Sequence, residues 1–277
     1  MMKSKLQHLL LMVVLALVAS LWQGPQVQAA PDSEPMSFLF LGIDTGELGR
    51  TEQGRSDTIM VMTLNPSHKT LRLVSLPRDT YVNIEGYEGM DKLNHAYAYG
   101  GAELSKLTVE HLLDVPIQHY LALNMKGLED LVDLVGGVEV VPPETFTIDG
   151  YEFYQDTPVY LDGRTALYYV RDRFSSSGDY ARQARQRQVL EALMHKTQDA
   201  SFKLDPLKVA SLMTSVSTDL SLDQLMGLFN QYRQAGLQLE LGQLQGQGQT
   251  INGIYYDIPD QASLAELRTT LLSDLKE

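Results

Sequence analysis

Residues 37–44 read SFLFLGID, a nearly continuous apolar run that ends at a glycine and an aspartate. A run of this length without polar alternation is typical of a strand that is covered on both faces. Two further strands are predicted at residues 59–64 and 70–76, and the turn Asn65-Pro66-Ser67-His68 between them predicts a hairpin. The stretch therefore predicts the buried centre of a sheet.

Helices alternate with strands in the pattern that follows the hairpin. Leucines and valines recur at helical spacing over residues 102–113 and 126–135, and strands are predicted at residues 117–123 and 138–141. A last amphipathic helix is predicted at residues 263–275. The alternation indicates an α/β fold in which helices flank both sides of a central mixed sheet.

The composition limits the function classes. The chain has 277 residues, of which 44% are hydrophobic, and this is enough for one large domain with a substantial core. The formal net charge of -13 argues against general nucleic-acid binding, which requires a broad basic surface. No cysteine is present, so thiolate chemistry and cysteine metal sites are excluded.

The N-terminus has the three parts of a secretory signal. Lys3 and Lys5 precede an apolar run at residues 9–21, and Gly24-Pro25 and the small residues before Ala30 follow it. We expect export, with residues 1–29 acting as a cleaved signal peptide or as a short membrane anchor. Residues 30–36 are then a linker, and residues 37–277 form the exported domain.

Arginines are concentrated in residues 168–188, YYVRDRFSSSGDYARQARQRQ, which hold five of the chain's twelve. A planar guanidinium binds two oxygens of one phosphate, whereas a lysine ammonium acts as a point charge. A strand at residues 167–171 would place Arg171 and Arg173 on one face, and a helix capped by Asp179 would carry Arg182 and Gln186 on one face. The stretch predicts an anion site, and a solvated amphipathic helix is the alternative.

Two acids and two arginines lie at predicted strand boundaries: Asp44, Arg55, Asp57 and Arg78. Carboxylates that neighbouring strands bring together repel each other unless a cation lies between them, and oxygen ligands suit Mg²⁺ or Mn²⁺. The alternative is that Asp44 and Asp57 only cap turns. Spacing alone does not decide between a metal site and turn caps.

Six blocks in the same order resemble the LytR-CpsA-Psr family of cell-wall glycopolymer transferases. The resemblance extends from about Phe38 to about Leu272. The blocks read FLFLGIDTG, GRSDTIMVMTLNP, LRLVSLPRDTYV, DKLNHAYAYGG, LEDLVDLVGGVEVVPP and YYVRDR with GDYARQARQ. The resemblance implies an α/β/α fold with an apolar tunnel for a prenyl chain. It also implies transfer of a glycopolymer, such as teichoic acid or capsular polysaccharide, from a polyprenyl-pyrophosphate carrier to a peptidoglycan hydroxyl, which forms a phosphodiester.

The resemblance also assigns roles to residues of this chain. Asp44 and Asp57 would hold Mg²⁺ or Mn²⁺. Seven residues would bind or orient the pyrophosphate: Arg55, Arg78, Arg171, Arg173, Asp179, Arg182 and Gln186. Of these, Arg78, Asp179 and Arg182 are the expected catalytic residues, and the general base stays open between Asp79 and Asp179.

Two other functions remain open on the sequence. A pyrophosphatase that acts on the same lipid would differ only in using water as the acceptor. A lipid-phosphate binding protein without turnover would need the arginines but not the pair of aspartates. The resemblance also implies contact with the membrane surface, because the donor that it implies is lipid-linked.

Overall fold

The computed structural model describes residues 34–45, 54–171, 185–186, 188–189, 192–193, 196, 212, 214–221, 224, 228 and 238–276. The strands are β1 (Met36–Ile43), β2 (Ser56–Asn65), β3 (Thr70–Ser75), β4 (Tyr81–Asn83), β5 (Met90–Lys92), β6 (His119–Asn124), β7 (Val138–Val140), β8 (Phe146–Ile148), β9 (Tyr151–Phe153), β10 (Val159–Leu161), β11 (Val216–Thr218), β12 (Gln238–Gln243), β13 (Gly246–Ile251) and β14 (Ile254–Pro259). The helices are α1 (His95–Leu113), α2 (Met125–Leu134), α3 (Gly163–Arg171) and α4 (Gln261–Asp274). The predicted signal or anchor, residues 1–29, lies outside the described residues.

Six strands form the central sheet in the order β11-β6-β1-β2-β3-β12. The β1–β2 and β2–β3 pairs are antiparallel, which confirms the predicted hairpin, and β11 is antiparallel to β6. The β1–β6 and β3–β12 pairs are parallel. The sheet is therefore mixed, as predicted, and the C-terminal ends of β1, β3, β6 and β12 lie at one edge.

Strand β1 lies between β6 and β2 in the sheet, and both of its faces are apolar. Leu39 and Leu41 pack on one face against residues of α1 and α4, including Leu271. Phe38 is fully buried on the opposite face beside Met62 of β2. On that face the end of β6 joins the residues of α2 and α3 in one apolar cluster. Helices therefore cover both faces, and the predicted α/β fold is confirmed.

Helix α1 contains a break that the two consecutive glycines allow. Gly101 has a φ of 68° and a ψ of -156°, which a residue with a side chain rarely adopts. The helix predicted to start at residue 102 is present, and a further helical turn at residues 95–99 precedes the break. That extra turn brings His95 and Tyr99 onto one side, because they are four residues apart.

Helices α2 and α3 cross at a glycine. A Cβ on Gly163 would overlap the carbonyl oxygen of Glu129, so only glycine permits this approach. The Gly163 N–H donates to Asp133 Oδ1 at 2.7 Å, and Arg164 Nη1 lies 2.8 Å from Glu129 Oε1. The crossing fixes the start of α3 against α2.

The strand predicted at residues 167–171 is wrong, because these residues are the end of α3. Aromatic and β-branched residues favour a strand locally, but Ala166, Leu167, Tyr169 and Val170 are all buried, which matches helical spacing. Asp162 begins the helix: its Oδ1 accepts the Thr165 N–H at 2.8 Å.

Within the described part of the chain, none of the helices combines enough length with enough apolar character to span a bilayer.

Candidate functional site

The predicted site residues on β1, β2 and the segment after β3 meet at the edge of the sheet where β1, β3 and β6 end. In the β1–β2 register Ile43 lies opposite Ser56. Asp44 directly follows Ile43 and Asp57 directly follows Ser56, so the two aspartates lie at the same end of two neighbouring strands. The Leu76 N–H donates to the Ile59 carbonyl at 2.9 Å. This hydrogen bond holds the segment after β3, which leads to Arg78, beside β2. Crevices outside the carboxyl ends of strands are common ligand sites in α/β sheets.

Asp44 joins the two ends of the loop between β1 and β2. Its Oδ1 accepts the Arg55 backbone N–H at 2.6 Å, and its own N–H donates to the Arg55 carbonyl at 3.1 Å. This contact requires a glycine at position 54, because a Cβ on Gly54 would overlap Asp44 Oδ1. Asp44 therefore does make a turn contact, as the alternative reading expected, and it does so at the same edge as Asp57.

Asp57 is the extra residue of a β-bulge. Gly42 pairs with Thr58 and Ile43 pairs with Ser56, so the register passes over Asp57. A bulge redirects a side chain away from the regular alternation of the strand. The Asp57 side chain is 19% exposed, and its Oδ1 accepts from Arg78 Nη1 at 2.6 Å. Two residues that are 21 positions apart in the sequence thus form one charged pair.

Arg78 is held by its backbone as well as by Asp57. Its carbonyl accepts the Asn94 N–H at 3.0 Å, immediately before α1 begins. Its Nε lies 3.6 Å from Asp79 Oδ2, and Lys92 Nζ lies 2.8 Å from the other oxygen of Asp79. The Arg78 side chain is 19% exposed, so it is positioned by the fold yet still reaches the solvent. An arginine held in this way is suited to bind an anionic ligand with little reorganisation.

Of the predicted site residues in the arginine stretch, Arg171 and Gln186 are among the described residues, whereas Arg173, Asp179 and Arg182 lie outside them. Arg171 is the last residue of α3, and Gln186 is helical and partly buried. Both ends of the stretch meet, because Arg185 Nε donates to the Tyr169 carbonyl at 3.1 Å. The predicted grouping of the pyrophosphate-binding arginines is thus described only in part and stays a prediction.

Arg185 is buried and has a structural role. The alternative predicted for the arginine stretch was a solvated helix, and Arg185 is not solvated. Its side chain has no exposed surface, and Nη1 lies 2.9 Å from Glu144 Oε1. The guanidinium also lies over the Phe146 ring, with its carbon 4.4 Å from the ring centroid. One of the five clustered arginines is therefore used to hold α3 against its neighbours.

Sequence reasoning missed a second polar cluster beside Arg78. Asp91 Oδ2 contacts His95 Nδ1 at 2.8 Å and accepts from the Tyr99 hydroxyl at 2.6 Å. Burial opposes ionisation of Asp91, but the hydrogen bonds from Tyr99 and His95 hold its pKa below the ordinary value. The spacing 91, 95, 99 in the block DKLNHAYAYGG was the available signal, because these positions recur every four residues.

The aspartate pair fits a divalent cation by its chemistry. Mg²⁺ is commonly bound by one or two carboxylates together with water and substrate phosphate oxygens, and Asp44 and Asp57 supply two carboxylates at one edge. In the described ranges no group of three or more histidine, aspartate or glutamate side chains forms a complete protein site. The donor set thus suits a cation shared with a phosphate ligand rather than a closed metal site.

Comparison with known proteins adds an independent finding. A curated relative, the polyisoprenyl-teichoic acid–peptidoglycan teichoic acid transferase TagU of Enterococcus faecalis, is 45% identical over 246 residues, which cover 88% of this chain and 81% of the relative. A solved Enterococcus faecalis structure, described as a transcriptional regulator, matches with a TM-score of 0.75 and 42% identity over 87% of this chain and 88% of its own. A structure described as TagT bound to LI-WTA matches with a TM-score of 0.71 and 33% identity, over 90% and 94% of the two chains.

The family model covers most of the chain, matching residues 19–273. This range includes every residue of the described site, from Asp44 to Gln186. The chain belongs to the LytR_cpsA_psr family.

Proposed function

We propose that this protein transfers a glycopolymer of the teichoic acid class from a polyisoprenyl-pyrophosphate carrier to a hydroxyl group of peptidoglycan. The observation that carries the proposal is the Asp57–Arg78 pair at the sheet edge, in a chain whose curated relatives are named as teichoic acid transferases. In this pair, the Arg78 guanidinium supplies a positioned positive charge for the pyrophosphate, and the Asp57 carboxylate supplies oxygens for its counter-ion.

In the proposed reaction, the acceptor hydroxyl oxygen attacks the phosphorus that carries the glycopolymer. A new oxygen–phosphorus bond forms, the bond from this phosphorus to the bridging oxygen breaks, and polyisoprenyl phosphate leaves. Negative charge builds up on the non-bridging and leaving oxygens, so positioned guanidinium groups stabilise the transition state. Arg55, Arg78 and Arg171 take this role, together with Arg173 and Arg182, and Gln186 orients the phosphate.

Asp44 and Asp57 are proposed to hold Mg²⁺ or Mn²⁺. The cation would neutralise phosphate charge when it is bound. The hydroxyl proton needs an acceptor, and Asp79 and Asp179 are the two candidate carboxylates. Asp79 Oδ1 already lies 2.8 Å from Lys92 Nζ.

A transfer assay tests the proposal and separates it from the two alternatives. The full chain is incubated with a synthetic lipid-linked teichoic acid precursor, peptidoglycan fragments and Mg²⁺. Transfer yields a phosphodiester between polymer and fragment. A pyrophosphatase would instead release the glycopolymer phosphate without joining it to the fragment, and a binding protein would leave the donor intact. Either of these results would overturn the proposed function.

Arg171→Lys is expected to lower the transfer rate about tenfold or more without lowering the melting temperature. Lysine keeps the charge but loses the planar fork that binds two phosphate oxygens. The same transfer assay and a thermal melt measure the two effects. If transfer by the variant equals that of the wild type, then Arg171 supplies only general positive charge.

We also propose that the chain acts outside the cytoplasmic membrane and near its surface. Lys3, Lys5 and the apolar run at residues 9–21 support this, because they form the pattern of an export signal. The prenyl chain of the donor would lie in the apolar tunnel that the family resemblance implies. N-terminal sequencing of protein from the native host is expected to find a mature start near Ala30. An intact Met1 in the membrane fraction would instead indicate an anchor.

A further inference from the structure

A stacked pair of tyrosines is exposed beside the site. The rings of Tyr87 and Tyr99 have centroids 4.5 Å apart and planes 21° apart, and the residues are 46% and 42% exposed. Tyr87 lies in the turn between β4 and β5, and Tyr99 lies in the first helical turn of α1, before its break. Met90, at the start of β5, is 45% exposed. Neighbouring exposed apolar side chains of this size often mark a binding surface.

Hydrogen bonds connect this tyrosine pair to the residues around Arg78. The Tyr99 hydroxyl donates to Asp91 Oδ2, the same oxygen that contacts His95 Nδ1. His95 follows Asn94, whose backbone N–H donates to the Arg78 carbonyl at 3.0 Å. The hydrogen bond to Asp91 raises the pKa of Tyr99, and the positive charge of Arg55 acts against that rise. A ligand on the tyrosine pair would therefore lie next to the proposed phosphate site.

The carboxylates of the turn that carries Tyr87 favour a neutral ligand. Glu85 and Glu88 are exposed in this turn, with Glu85 Oε2 3.4 Å from His111 Nδ1, and Asp91 follows on β5. These carboxylates would repel a polymer that carries a phosphate in every unit, as a teichoic acid does. They would accept hydrogen bonds from the hydroxyl and amide groups of an uncharged sugar.

An aromatic surface suits a pyranose ring in particular. The face of a tyrosine ring is negative, so it attracts the slightly positive C–H groups on one side of a sugar. The acceptor also needs a binding contact of its own, because a sugar hydroxyl has no charge with which to engage the arginines. A long glycan strand does not fit into a closed pocket, and an exposed platform admits it from the side.

We propose that the Tyr87–Tyr99 pair is the subsite for an N-acetylated hexosamine ring of the peptidoglycan acceptor strand. The proposal rests on the transfer function above and adds where the acceptor lies. It does not require that the tyrosines take part in the chemistry, since they bind the sugar and position its hydroxyl.

Titration of the full chain with chitotetraose, a neutral N-acetylglucosamine oligomer, tests this by calorimetry or saturation-transfer NMR without any donor. Tyr87→Leu is expected to weaken binding about five- to tenfold, the effect of losing one stacking contact. Tyr99→Phe keeps the ring and loses the hydroxyl, so it is expected to bind within about twofold of the wild type. Tyr154→Leu is the matched control, because Tyr154 is 55% exposed and directly follows β9, whose Phe153 belongs to a different apolar cluster from the residues of α1.

Any one of three results would overturn the subsite. The first is that the wild type does not bind chitotetraose, and the second is that Tyr87→Leu binds it as tightly as Tyr154→Leu does. The third is that an oligomer of glycerol phosphate competes for the tyrosine pair more strongly than the sugar. A pair that only joins the turn to α1 would lower the melting temperature of Tyr87→Leu and leave sugar binding unchanged. Transfer activity is measured separately, so a protein that binds the sugar but transfers nothing would contradict the proposed function and not the subsite.

Discussion

Asp57→Ala is expected to lower glycopolymer transfer by roughly a thousandfold or more, in a protein that folds normally. Asp57 lies in a bulge that the β1–β2 register passes over, so its side chain does not contribute to the core of the sheet. The change removes a proposed cation ligand and also removes the partner of Arg78 at 2.6 Å. Both effects weaken stabilisation of the charge that develops on the phosphate oxygens.

Asp57→Asn separates these two effects. Asparagine keeps an oxygen that accepts from Arg78, but it loses the negative charge that binds a cation. If Asp57 serves the cation, the asparagine variant is nearly as impaired as the alanine variant, and excess Mg²⁺ partly restores its transfer. If Asp57 only positions Arg78, the asparagine variant retains most of its transfer.

The measurement is the transfer rate across a Mg²⁺ titration, with a thermal melt of each variant. Glu103→Ala, which removes an exposed carboxylate on α1, is the control for a change in net charge. Full transfer by Asp57→Ala in chelator-treated buffer would contradict the cation assignment.

Arg185→Ala is expected to destabilise the protein by about 3–5 kcal/mol, the cost of breaking a buried ion pair by removing one partner. The Arg185 side chain has no exposed surface, and Glu144, at 2.9 Å, is 15% exposed. The variant leaves the Glu144 carboxylate without this partner and leaves a cavity beside Phe146. It also removes the donor to the Tyr169 carbonyl.

Urea unfolding of Arg185→Ala, Glu144→Gln and the double variant measures this effect. The double variant is expected to be more stable than Arg185→Ala alone, because the uncharged side chain of Glu144→Gln costs less to keep partly buried beside the site of the lost guanidinium than the Glu144 carboxylate does. Transfer per folded molecule should stay close to that of the wild type. A variant with wild-type stability and no transfer would instead place Arg185 in the phosphate site.

Strands β1, β2, β3, β6 and β7 and three of the four described helices could be predicted from the sequence because their signals are local. The apolar run at residues 37–44 predicted β1, and the helical spacing of Leu131, Val132 and Val135 predicted α2 with those side chains buried. The α3 segment was predicted incorrectly as a strand. Its aromatic and valine residues favour a strand, and the cap formed by Asp162 and Thr165 was not recognised.

The candidate site depended more on the tertiary structure. Residue type and order were enough to predict the fold class, the family and the residues that carry the charge. The folded structure was needed to show that Arg78 pairs with Asp57, that Arg185 is buried against Glu144, and that Tyr99 stacks on Tyr87. Each of these contacts depends on strand register and helix packing between distant segments, and local periodicity carries no information about which charged or aromatic side chains will meet.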